Sequence, residues 1–138
     1  MSAIYLLDTN ICVFFLRGKY DVNKAIDKVG WESCAISEIT ALELKIGAEL
    51  SKQRDNINRT DSLNRFLDAI EIIPITDALD MAAEEKVRLR LCGTPLDDDF
   101  DLLIGCTALS KGMTMVTENL KDFKRLKGIK IENWIVRQ

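Results

Sequence analysis

The chain has 138 residues, 47% of them apolar and 30% charged, with a net charge of -3. Mean hydropathy is -0.01, and these proportions exclude a disordered tail, a collagen-like fibre and a low-complexity linker, leaving one domain over residues 1–138. Histidine is absent, which removes Ser-His-Asp and Cys-His nucleophiles, imidazole acid–base chemistry and zinc sites built on imidazole.

Ile4, Tyr5, Leu6 and Leu7 form a continuous apolar run, the pattern of a strand buried on both faces of a parallel sheet. Asp8, Thr9 and Asn10 break it with turn-forming and cap-forming side chains. Residues 11–16 then read as a packed helix closed by Gly18, and residues 21–29 as another short helix. Cys34, Ala35 and Ile36 predict a strand, with Ser37 as N-cap of the next helix. In that helix Ile39, Leu42, Ile46 and Leu50 recur at helical spacing and predict one buried face. A polar stretch over 51–64 ends in the amphipathic set Leu63, Phe66, Leu67 and Ile70. Residues 72–75 predict a strand, and Asp77 a capped helix running to about Leu91, stopped by Gly93, Thr94 and Pro95. Residues 102–109 are nearly all apolar and predict a helix buried on most sides, closed by Gly112. Strands come next over 113–117 and from Ile129 to around Trp134. Strand and helix alternate throughout, so the expected class is α/β, a mainly parallel sheet covered by helices on both faces.

The four cysteines, Cys12, Cys34, Cys92 and Cys106, form no CxxC pair and sit among apolar neighbours, so they read as buried reduced thiols. No leader peptide is visible and no run approaches the roughly 20 apolar residues of a membrane span, so the expected location is the cytoplasm. Charge is unevenly spread. Residues 77–101 hold eight acids against three bases, and residues 111–138 hold seven bases against three acids.

Ligands of open parallel sheets bind beyond the carboxyl ends of the strands, which singles out the acids placed there. Asp8 follows the first strand, Glu43 lies on the helix after the second, and Asp101 opens the most apolar helix. Thr117, Glu118, Asn119 and Asp122 follow the fourth main strand. Each has a structural explanation: Asp8 as a turn residue, Asp101 as a favourable helix-terminal charge, Glu43 with its head in solvent. Gathered at one sheet edge, however, carboxylates repel and are costly to desolvate unless a cation neutralises them. With no histidine and no paired thiols the ligands would be oxygens, which suits Mg²⁺ or Mn²⁺ and phosphoryl chemistry. Lys45, Lys52, Arg54, Arg59, Arg65, Lys86, Arg88 and Arg90 could line the approach or simply form solvated helix faces. Asp97, Asp98 and Asp99 read as capping and loop-solvating residues, one of which could reach the metal.

The segment from Leu6 to Cys12 resembles the opening motif of PIN domains, specifically of VapC toxins from bacterial toxin–antitoxin pairs. The similarity continues through residues 39–48 with Glu43, residues 100–105 with Asp101, Val116 to Asn119 with Asp122, and the closing residues 131–134. It implies a PIN fold and a metal-dependent endoribonuclease, cutting tRNA or other structured RNA. Carried over, Asp8, Glu43 and Asp101 are the expected catalytic acids. Asp8, Asp101, Glu43 and Asp122 are the expected Mg²⁺ ligands, and Thr9, Asn10, Thr117 and Asn119 the expected substrate contacts. Where the family often has a fourth acid this chain has Asn119, leaving that position open between Asn119 and Asp122. Alanine is more usual in the family at Gly105. The implied partners are RNA, a second copy meeting through residues 11–16, and a cognate antitoxin. The antitoxin is expected to insert an arginine among Asp8, Glu43 and Asp101 and to dock around Ile46, Leu50 and Phe66.

Other readings fare less well. A haloacid-dehalogenase-like phosphatase needs a second acid two residues after the first, where this chain has Asn10. A receiver domain needs a lysine directly after the strand that here ends in Val116 and Thr117. A non-catalytic PIN-like binding module usually lacks one or more of the three acids that this chain retains.

Overall fold

In the computed structural model, which describes residues 3–137, the strands are β1 (Tyr5–Leu7), β2 (Cys34–Ser37), β3 (Glu71–Ile73), β4 (Thr114–Val116) and β5 (Lys130–Glu132). All pair in parallel, in the order β3-β2-β1-β4-β5. Helices α1 (Thr9–Leu16) and α2 (Val22–Val29) connect β1 to β2, and α3 (Glu38–Arg54) and α4 (Thr60–Ala69) connect β2 to β3. Helices α5 (Leu79–Leu91) and α6 (Asp99–Ser110) lead to β4, and the single turn α7 (Leu120–Phe123) lies between β4 and β5.

The two-residue period of a strand sends neighbouring side chains to opposite faces. Leu6, Ala35 and Met115 accordingly join one core with Leu102, Ile104 and Phe123, under α5 and α6. Leu7, Ile36 and Val116 join the other with Ile11, Ile26, Leu44 and Phe66, under α1 to α4. Covering on both faces is what the apolar runs require. On the second face Phe15 meets Phe66 and Trp31 at ring centroids 5.3 Å apart, tying α1 to α4.

Several boundaries differ from expectation for physical reasons. The predicted apolar face of α3 is only partly buried: Ile39 is in the core, but Leu42, Ile46 and Leu50 are each 45% exposed. Seventeen helical residues span about 25 Å, whereas strands of three or four residues reach about 10–13 Å, so the second half of α3 overruns the sheet. Asp77 caps nothing. It sits in a 3-10 turn (Thr76–Ala78) that precedes α5, and its carboxylate receives Lys111 at 2.8 Å. The last strand ends at Glu132, before Trp134, which instead packs edge-on against Tyr5. Cys12, Cys34 and Cys106 are buried as expected, and Cys92 is exposed past the end of α5. Among the described residues no helix is long and apolar enough to cross a membrane.

Gly105 lies where α6 presses against α7 and the turn after it. A β-carbon there would collide with the fully buried Leu126 and come within 3.1 Å of the Phe123 ring. Overpacking of a filled core costs about 1–3 kcal/mol, against roughly 1 kcal/mol regained when alanine replaces glycine in a helix. Gly105→Ala therefore lowers the melting temperature. Combined with Leu126→Ala it costs less than the two single changes summed, by more than about 0.5 kcal/mol in a double-mutant cycle. Simple additivity would show that the contact is relieved elsewhere.

Candidate active site

Strand order reverses at β1, whose neighbours are β2 on one side and β4 on the other. The connections leave β1 and β4 in opposite directions, and a crevice opens beyond their carboxyl ends. Asp8 and Thr117 are the first residues past those two strands. Asp8 is the N-cap of α1, extended at φ -67° and ψ 158°, and one carboxylate oxygen accepts the Thr9 backbone N–H at 2.8 Å. The other accepts the hydroxyl of Thr117 at 2.7 Å. The Thr117 hydroxyl oxygen accepts in turn the backbone N–H of Asn119 at 2.9 Å. Thus β1 and β4 are joined at the crevice by a chain of hydrogen bonds that orients Asp8.

Glu43 enters from α3, which begins at Ser37 with a side-chain cap on the Thr40 N–H. The Thr9 hydroxyl donates to Glu43 Oε1 at 2.6 Å and stands 3.1 Å from the hydroxyl of the buried Thr40. Asp101 is half-buried in the first turn of α6, whose N-cap Asp98 accepts the Phe100 N–H. Asn119 caps α7: its side-chain oxygen accepts the Asp122 N–H, and its amide N–H donates to the Asp122 carboxylate at 3.1 Å.

Hydrogen bonds from Thr117 and Thr9 hold Asp8 and Glu43 at one edge of the sheet, and Asp101 lies close enough to feel their charges. Burial and the charges of Asp8, Asp98, Glu43 and Asp122 push the Asp101 carboxyl up to about 7. Burial also raises Asp8 above the ordinary carboxylate range, with Glu43 adding to it, while its hydrogen bonds to Thr117 and Thr9 oppose the rise. Among the described residues no lysine or arginine pairs with Asp8, Glu43 or Asp101, and Asp122 has only Arg125 at 4.0 Å. No three carboxylate or thiol groups among those residues are gathered closely enough to enclose an ion as they stand. The donor set nevertheless suits a hard divalent cation. It is all oxygen, mutually repelling, and left without a paired cation among the described residues, apart from Asp122 with Arg125.

The expected substrate contacts divide. Thr117 is fully buried and faces Asp8, and the Thr9 hydroxyl is held by Glu43; both support carboxylates. Asn119 is engaged with Asp122, whereas Asn10 is exposed at the start of α1. Asp97, Asp98 and Asp99 are exposed, with Asp98 capping and Asp99 paired to Lys86. Of the basic residues, Arg59 lines a cleft shared with Glu43, together with Arg17, which no pattern in the sequence singles out. Thr40 is a further residue that the sequence motifs do not single out. Its position three residues after the Ser37 cap and three before Glu43 is the signal that could have found it.

Comparison with known proteins identifies the family and the fold. A family model described as PIN domain matches residues 5–129. Ribonuclease VapC2 of Rickettsia felis is 34% identical, over 95% of this chain and 98% of its own. The tRNA(fMet)-specific endonuclease VapC of Salmonella typhimurium is 31% identical, over 94% and 97%. Two solved structures, DNA-bound VapBC from Salmonella typhimurium and VapBC2 from Rickettsia felis bound to a DNA fragment from their promoter, each superpose with TM-score 0.83 at 31% identity. The first covers 97% of this chain and 99% of that chain, the second 95% and 98%.

A carboxyl whose folded pKa exceeds its unfolded value keeps its proton longer in the folded state. Stability then falls as pH rises between the two values. For Asp101 that window runs from the ordinary value of 3.8 to about 7. In metal-free buffer the melting temperature should drop from about pH 4 to about pH 7, and Asp101→Asn should flatten that slope. An unchanged slope in the variant would remove Asp101 from the shared field.

Proposed function

Because the chain belongs to the PIN-domain family and, within it, to the VapC ribonucleases, we propose that its acidic crevice hydrolyses RNA phosphodiester bonds with a bound divalent cation. The observation that carries this reading is the convergence of Asp8, Glu43 and Asp101 from three elements at one sheet edge, with no lysine or arginine among the described residues paired to them. Residues 1–138 are read as one such domain, although Met1, Ser2 and Gln138 lie outside the described residues. The ion is taken to be Mg²⁺, with Mn²⁺ as its substitute.

Asp8 and Asp101 would hold the ion, with Glu43 and Asp122 adding negative charge at its margin. When bound, the ion supplies Lewis-acid stabilisation of charge developing on the phosphoryl oxygens. Asp8 is fixed for that role by donors on both oxygens, so it need not reorganise. Glu43 is oriented by Thr9 through one oxygen, which leaves the other to accept the proton of an attacking water. Asn119 acts by placing Asp122. A scaffold module without catalysis has no use for three gathered acids that no ion pair among the described residues offsets.

The VapBC likeness supports a role as the toxin of a toxin–antitoxin pair in the cytoplasm, restrained by a small protein partner. Such a partner would place an arginine, whose planar fork pairs carboxylate oxygens, among Asp8, Glu43 and Asp101. Its apolar anchors would meet Leu42, Ile46 and Leu50, the exposed stripe on α3. Phe66 is buried in the core and is not available to it. A homodimer through α1 is the expected assembly of the toxin. Within α1, Ile11 and Cys12 are already buried and Phe15 packs inside the chain, leaving Val13 and Leu16 only half-buried.

The purified chain should cut tRNA or another structured RNA in Mg²⁺ and stop in EDTA. Asp8→Ala and Asp101→Asn should each lower the rate at least about a hundredfold with unchanged circular dichroism. Full activity in either variant, or in EDTA, would contradict the assignment.

A further inference from the structure

A cleft of about 100 Å³ opens between α1, α3 and α4, directly beside the acidic crevice. Its floor is aliphatic, formed by Leu16, Leu44 and Leu63. Glu43 lies on its border towards the crevice, and two arginines, Arg17 and Arg59, line it as well. Both arginines are exposed, and neither forms an ion pair among the described residues. The neighbouring carboxylates are equally unpaired, so adjoining patches of opposite charge meet at Glu43.

We infer that this cleft is a nucleotide subsite, holding the base next to the scissile bond on its aliphatic floor and the adjoining phosphate on Arg17 and Arg59. The inference rests on the nuclease reading above. An RNA strand is the occupant that matches the charge pattern: one phosphate beside a cation-bearing acidic crevice, the next beside free guanidinium groups. The apolar floor supplies a surface for the base without hydrogen-bond readout, so the subsite sets register along the strand more than sequence.

Gly47 gives a direct way to fill the cleft. It lies on α3 among the lining residues, and a β-carbon there meets nothing within 4 Å. Leucine at this position favours the helix over glycine and extends into the space reserved for the base. Gly47→Leu should raise KM for RNA about tenfold, with kcat within about twofold and a melting temperature no lower than that of the native chain. The double variant Arg17→Gln/Arg59→Gln should raise KM comparably and reduce the salt dependence of kcat/KM, a slope change of about 0.7 for one lost phosphate contact.

Both variants cutting RNA with native KM and salt slope, while the native chain cuts normally, would overturn the subsite and leave the nuclease reading standing. Native RNA kinetics combined with lost inhibition by the protein partner would assign the cleft to that partner and equally overturn it. No RNA cleavage by the native chain in Mg²⁺ or Mn²⁺ would overturn the nuclease reading, and this inference with it.

Discussion

Mutual repulsion among carboxylates held at one half-buried edge is the constraint around which this molecule is arranged. Asp8, Glu43 and Asp101 arrive from β1, α3 and α6, and no lysine or arginine among the described residues pairs with them. Folding must therefore hold together groups that would separate if free to do so. The sheet does this by topology. With β1 central and β4 beside it, the residues following both strands emerge at one edge, and the bond from Thr117 to Asp8 joins positions remote in sequence. The leucines and valines of the strands, alternating between two cores, anchor that edge from below.

Neutral hydroxyls rather than charges hold the acids in place. Thr117 and Thr9 each donate to a carboxylate while keeping the negative charge available to something else. An arginine or lysine in either place would satisfy the acid and close the site. Where the chain does use such pairs they lie elsewhere. Arg88 grips the buried Glu85, which also accepts the Lys127 N–H. Arg137 ties the end of the chain to Glu118 and to Tyr20. Charge pairing is thus used for stability at these sites and withheld from the crevice.

Much of this is legible in the sequence. Apolar runs ending in a polar turn mark β1 and β4 because both faces of a parallel strand are covered. The three acids stand out because they follow such a run, open a buried helix or, for Glu43, lie on the helix after the second strand. The α/β class and the PIN resemblance rest on the same residues. Other features depend on three-dimensional context that periodicity does not carry. The stripe Leu42, Ile46 and Leu50 has the spacing of a core face, yet whether it is buried depends on how far α3 overruns a short sheet. Asp77 has the chemistry of a cap, but a tighter turn and Lys111 claim it. Thr117 and Asn119 sit in a motif that suggests substrate contact, and only the fold shows them turned towards Asp8 and Asp122. Arg17 carries no local signal at all, since its relation to Glu43 arises from the packing of α1 on α3.

The central claim is that the crevice lacks a positive charge that a divalent cation supplies, with Asp101 as the group that senses it most. Calorimetry of Mn²⁺ binding at about pH 6, repeated in buffers of different ionisation enthalpy, tests this directly. A carboxyl titrating at about 7 is largely protonated there, so binding should release close to one proton, and Asp101→Asn should abolish that release and weaken binding. Mn²⁺ binding without proton release, or with equal affinity in the variant, would contradict the account.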